Sequence, residues 1–159
     1  MLGEALLVVL IAFTPIAEVR GAIPLAYALG LDAYQKGLLV TLAILSNSLI
    51  PFLALSVLQF IEDSILNSNR KFLARTYARL VSRARTQGTR YFGRWGYLGL
   101  TAFVAIPLPV TGAWTASLIA HIFGLNRLKS SLAIVVGILI ASLIVILALE
   151  GFITLINII

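Results

Sequence analysis

Apolar residues fill this chain in long runs, and polar or helix-breaking residues interrupt them at two corresponding places. Glu4 to Phe13 is an apolar run of roughly ten residues, about 15 Å if helical and half a bilayer deep. Pro15, Gly21 and Pro24 then break any continuous helix, and Leu25 to Leu29 resumes the apolar pattern. Gly30-Leu31-Asp32 follows, a glycine suited to ending one helix and an aspartate suited to capping the next. Gly37 to Ile61 carries no charge and is long enough to cross a membrane with some tilt, with Ser46-Asn47-Ser48 and Pro51 near its middle. The second half repeats the order. Tyr97 to Ile106 is apolar, Pro107-Leu108-Pro109-Val110-Thr111-Gly112 breaks it, and Ala113 to Phe123 resumes. Gly124-Leu125-Asn126 again reads as terminator and cap, and a second apolar span runs from Leu132, uncharged until Glu150.

The two glycine-cap triplets lie 94 positions apart, and Leu53-Ala54-Leu55 meets Leu147-Ala148-Leu149 at the same offset. Corresponding interrupted segments in two halves point to a transporter site near the membrane midplane. The expected fold is an all-α integral membrane protein of two inverted repeats. Each repeat is a re-entrant helical hairpin plus one transmembrane helix, and a cytoplasmic amphipathic basic helix joins them. The single membrane domain, 1–159, divides into a first repeat at 1–61, a linker at 62–94 and a second repeat at 95–159. Four full spans with both termini inside are the alternative topology.

Composition agrees with a membrane protein: 60% of the residues are hydrophobic and 11% charged, far from the balance of a soluble domain, and the mean hydropathy is +1.05. With no cysteine, disulfides and thiolate metal sites are excluded. The net charge of +6 reflects where the cations sit, because eight of the twelve Lys and Arg residues fall between Arg70 and Arg94. Lys71, Arg75, Arg79 and Arg83 recur every four residues beside an apolar stripe, which predicts a basic helix lying among anionic lipid headgroups on the cytoplasmic face. Positive-inside topology accounts for the same charges. No base-reading motif accompanies them, so nucleic acid is not an expected partner. Met1 is taken as the start of the folded domain, since Glu4 stands where a signal peptide would be basic.

Glu18 and Arg20 are ionisable groups inside lipid-soluble sequence, and such groups are costly unless paired or wetted. They are the leading candidates for substrate and proton binding, against the plainer reading of a kinked span whose acid and base pair only with each other. Gly21, Pro24, Pro107, Pro109, Thr111 and Gly112 would shape the broken backbone around them. Asn47 is either a polar ligand beside Glu18 or an ordinary interhelical hydrogen bond. Trp114 is either a wall of the site or packing, and His121 is a lone histidine near the expected membrane surface. Glu150 is assigned no role, since it lies near the end of its span and can reach the interface. No cofactor or metal is expected, and no cluster of enzymatic residues stands out. A homodimer covering the hairpin arms is a candidate assembly.

Glu18-Val19-Arg20-Gly21-Ala22-Ile23-Pro24 and Pro107-Leu108-Pro109-Val110-Thr111-Gly112-Ala113-Trp114 resemble the paired signatures of the putative small multidrug export proteins, a family grouped with the DedA, or VTT-domain, superfamily. The resemblance covers nearly the whole chain. It implies paired re-entrant hairpins and a role in transport or lipid translocation. Bacterial DedA relatives are linked to proton-motive force and polyprenyl-phosphate recycling, and eukaryotic ones to lipid scrambling. DedA proteins carry arginines around the second hairpin, whereas Phe103 to Ala120 here has none and Arg20 is the only arginine at either apex. The expected function is therefore a proton-linked transporter or translocase of a small or amphiphilic anion in a prokaryotic plasma membrane. A passive scramblase and a scaffold acting through the basic helix are the alternatives.

Overall fold

The computed structural model describes residues 2–67, 77–79, 81–83, 85–86, 95–108 and 111–158. They are helical apart from short connections, with no strand among them. In chain order the helices are α1 (Leu2–Phe13), α2 (Glu18–Ala28), α3 (Ala33–Leu66), α4 (Gly96–Ala105), α5 (Ala113–Ile122) and α6 (Arg127–Ile158). The order short, short, long thus occurs twice. The short helices have 12, 11, 10 and 10 residues, roughly 15–18 Å each and about half the hydrocarbon thickness. α3, with 34 residues, is about 50 Å long and overruns a bilayer core at one or both ends.

The caps form as expected in both halves. Gly30 and Gly124 adopt φ of 65° and 66°, the left-handed region where a side chain would be strained. Asp32 accepts the backbone N–H of Gln35 at 2.8 Å, and Asn126 that of Lys129 at 3.1 Å. At the end of α5, Leu125 N–H reaches the Ala120 carbonyl at 2.9 Å and Gly124 N–H the His121 carbonyl at 3.0 Å, the double closure of a Schellman turn.

Three boundaries differ from the sequence expectation. The first break is confined to residues 14–17, and α2 already starts at Glu18. Gly21 and Pro24 lie inside α2 rather than in a break. Pro24 sits at its seventh residue, so the ring removes one internal donor, the one owed to the Arg20 carbonyl, without ending the helix. α3 also runs on through Leu66, placing Glu62 on that helix rather than in the linker. α6 begins at Arg127, directly after its cap, five residues before the uncharged stretch.

Each second short helix packs against both long ones: α2 contacts α3 and α6, and α5 contacts α6 and α3. The main core joins Val19 and Ile23 of α2, Ile50 and Ala54 of α3, Val104 of α4, Ala113 and Ala116 of α5, and Ile134 and Ile138 of α6. Where α4 crosses α6, a methyl at Gly137 would stand 2.7 Å from Val104 Cβ and 2.8 Å from the Thr101 carbonyl, so only glycine fits. The outward faces are apolar. Leu45, Leu49 and Leu53 on α3 and Leu132, Leu139, Leu143 and Leu147 on α6 are all about half exposed or more. A contiguous greasy exterior on two helices long and apolar enough to cross a membrane is consistent with a lipid environment.

Candidate functional site

Breaking a helix leaves backbone groups without partners, and at membrane depth each costs several kcal/mol unless protein supplies one. The first break exposes the last carbonyls of α1. Asn47 Nδ2 on α3 donates to the Ala12 carbonyl at 2.8 Å, and Trp114 Nε1 on α5 donates to the Phe13 carbonyl at 3.1 Å. Thr14 closes the turn itself, its hydroxyl lying 2.8 Å from the Ile11 carbonyl and accepting Ala17 N–H at 3.2 Å.

The second break is satisfied from the first half. Arg20 Nη2 donates to the carbonyls of Val104 at 2.8 Å, Thr111 at 3.2 Å and Ile106 at 3.3 Å. Its Nη1 is 3.5 Å from Glu18 Oε2, a looser contact than the closest carbonyl bond. Glu18 turns to the start of α5, where its Oε2 accepts Ala113 N–H at 3.2 Å and its Oε1 accepts Trp114 N–H at 3.4 Å. A carboxylate on the unpaired amides of a helix N-terminus is stabilised by both hydrogen bonds and the helix dipole.

Glu18 is 2% exposed, and its backbone takes φ of 50°. A non-glycine residue there costs on the order of 1–2 kcal/mol, offset by the contacts its carboxylate makes. Gly112 explains how the carboxylate fits. A methyl at that position would fall 2.1 Å from Glu18 Oε2, so glycine is required for the approach. Gly21 is also sterically pinned, because a methyl there would meet Ala17 Cβ at 2.7 Å.

Of the residues singled out in sequence, Glu18, Arg20, Thr111, Gly112 and Trp114 meet in one cluster. Thr111 serves the loop: its hydroxyl is 2.9 Å from the carbonyls of both Ile106 and Leu108. Asn47 is fully buried and donates an interhelical hydrogen bond to α1. Pro107 is exposed and Pro24 half-buried. Pro109, Lys71 and Arg75 lie outside the described residues, while Arg79 and Arg83 are exposed. Beside Trp114 opens an apolar cavity of about 380 Å³ between α3 and α5, lined by Leu53, Ala54, Val57, Leu58, Thr115 and Leu118.

Sequence reasoning missed the polar contacts at the ends of the long helices. Tyr27 donates its hydroxyl to Glu150 Oε1 at 2.7 Å, giving that carboxylate a partner across the two halves. Glu62 Oε2 receives Arg85 Nη2 at 2.8 Å and lies 3.1 Å from His121 Nε2. The available signal was the 94-residue offset, which pairs Tyr27 with His121. No group of three or more potential metal ligands occurs among the described residues.

A family model described as "Putative small multi-drug export protein" matches residues 18–144, from Glu18 into α6. No curated protein and no solved structure matches the chain.

Proposed function

Since the chain belongs to the family described as putative small multi-drug export proteins, we propose that it is a membrane transporter whose substrate site is the buried Glu18–Arg20 cluster between the two broken segments. The observation that carries this reading is the arrangement of Glu18 on the amides of Ala113 and Trp114, with Arg20 alongside. Helix N-terminal amides plus a guanidinium make an anion site. In this conformation the protein's own carboxylate occupies it. Protonating Glu18 removes that anion and frees the amides for a substrate anion; releasing the proton restores the internal lock and expels the substrate. Arg20 stays attached to the second half through its carbonyl bonds, so it orients the site and does not travel with the substrate.

The apolar cavity that shares Trp114 favours a substrate with a greasy body beside its charged group. Short helices about half a bilayer long support re-entrant hairpins and an inverted relation between the halves. That arrangement, like the kinship with DedA proteins, belongs to this proposal. So do the anionic-lipid contact of the exposed Arg79 and Arg83 and a homodimer shielding the hairpin arms. The same cavity favours a second reading, a passive lipid scramblase with acyl chains passing beside Trp114.

Purified protein in liposomes separates these readings. Uptake of an amphiphilic anion driven by an imposed pH gradient, lost in Glu18→Gln, is the expected result. Lipid scrambling that ignores the gradient and survives Glu18→Gln would establish the passive route instead. Function abolished only by neutralising Arg75, Arg79 and Arg83 would favour the scaffold.

A further inference from the structure

The far end of α3 carries a cluster of titratable groups with no part in the Glu18 site. α5 ends at the same place, and Tyr77, Val81 and Arg85 of the linker line cavities there with residues of both helices. His121 on α5 faces Glu62 of α3 at 3.1 Å and the Tyr77 hydroxyl of the linker at 3.4 Å. Arg85 of the linker binds the same Glu62 oxygen at 2.8 Å, and its side chain crosses Gly124 so closely that a methyl there would stand 3.0 Å from it. Asp63 of α3 and Arg127 at the start of α6 line the same cavity of about 400 Å³. On its other side His121 borders an apolar cavity of about 330 Å³ with Tyr77, Val81 and Leu118. Among the described residues these are the charged and titratable groups around the imidazole.

Two donors share one carboxylate oxygen, and they differ in exposure. The Arg85 side chain is 40% exposed, whereas those of His121 and Glu62 are 10% and 11% exposed. A neutral imidazole can donate one N–H to Glu62 alongside Arg85. An imidazolium brings a second full charge to the same oxygen, and like charges this close repel. His121 is fixed on a packed helix, so the partner free to leave for water is Arg85. Glu62, being buried, keeps one cation in either state. Burial, reinforced by the charge of Glu62 and opposed by Arg85, holds the Tyr77 phenol above its ordinary range. Tyr77 therefore stays neutral while His121 titrates.

We propose that His121, Glu62 and Arg85 form a second proton-binding site, in which proton uptake by His121 transfers Glu62 from Arg85 to the imidazolium and loosens the linker from the helix bundle. This site is separate from the Glu18–Arg20 cluster, because its residues neither touch Glu18 nor depend on what Arg20 binds.

His121 is the chain's one histidine and cysteine is absent, so both ends of the test can be read cleanly. Imidazole resonances of the full chain in lipid nanodiscs are titrated by NMR. Arg85→Gln is expected to raise the His121 midpoint by about one unit and Glu62→Gln to lower it by about one unit. In parallel, spin labels on Ser64→Cys and Ser82→Cys, both exposed, report the distance from α3 to the linker. The separation should lengthen as pH falls through that midpoint, stay constant in His121→Gln, and respond as in the wild type in Glu18→Gln. A midpoint unmoved by either substitution, or a separation indifferent to pH, overturns the proposal. Loss of the response in Glu18→Gln overturns it as a separate site, whereas failed transport with the response intact strikes only the transport reading.

Discussion

The two halves of the molecule share a plan and differ in chemistry. Each has two short helices, a positive-φ glycine, a polar cap and a long apolar helix. At the centre, the first half contributes side-chain charge, Glu18 and Arg20, and the second contributes bare backbone, the amides of Ala113 and Trp114 and three carbonyls. A broken helix in lipid needs donors and acceptors, and a charged pair in lipid needs dipoles. Each half therefore supplies what the other lacks. That complementarity is why one acid and one base serve the second break, while Asn47 and Trp114 serve the first.

The comparison breaks most visibly at Gly112. Gly112→Ala should displace the Glu18 carboxylate, cost about 3 kcal/mol or more in thermal unfolding, and abolish transport. Gly99→Ala in the same half, with open space around its Cβ, should instead be neutral or stabilise by up to about 1 kcal/mol through helix propensity. Next comes the crossing of α4 and α6. Gly137→Ala should cost about 2 kcal/mol by overpacking against Val104 and the Thr101 carbonyl. Its counterpart at the 94-residue offset is Ala43, buried beside α1 and α2, where Ala43→Gly should cost only about 1 kcal/mol through helix propensity and a lost methyl contact. Equal losses at the two positions would mean that the halves pack alike.

The caps probe the likeness rather than the difference. Asp32→Ala and Asn126→Ala should each cost about 1 kcal/mol and add in the double variant, read as a shift in denaturant midpoint. The smallest effect is expected at the cross-half contact of the first repeat. Tyr27→Phe should lose about 0.5–1 kcal/mol, because the bond to Glu150 is exposed. That loss should not vary with pH through the range where His121 titrates, whereas the equivalent contact of His121 should. A pH-dependent loss at Tyr27 would erase the distinction between the two ends.

The caps and the second break were legible because they depend on local chemistry. Glycine enters the left-handed region freely, Asp and Asn accept the first amides of a helix, and the described residues of the second break, Pro107, Leu108, Thr111 and Gly112, are not helical. The sequence predicts a first break wider than the one that forms, for a matching reason. Proline and glycine lower the helix propensity of residues 21–24, but packing of Val19, Ala22, Ile23 and Ala26 in the cores outweighs that local cost. The charge of Glu62 marks the end of the apolar run and predicts the start of the linker, whereas backbone hydrogen bonding carries the helix on to Leu66.

Amino-acid order alone determined the membrane class, the doubled short-short-long plan and the burial problem posed by Glu18 and Arg20, since hydropathy, caps and charge act through near neighbours. It left the partners open. That Arg20 grips Val104, Ile106 and Thr111, that Gly112 makes room for Glu18, and that Glu62 meets Arg85 and His121 are contacts between residues 23 to 94 positions apart. Only the packing of helices and linker decides them, because a charge satisfied by distant backbone dipoles carries no mark of its partner in its own stretch of chain.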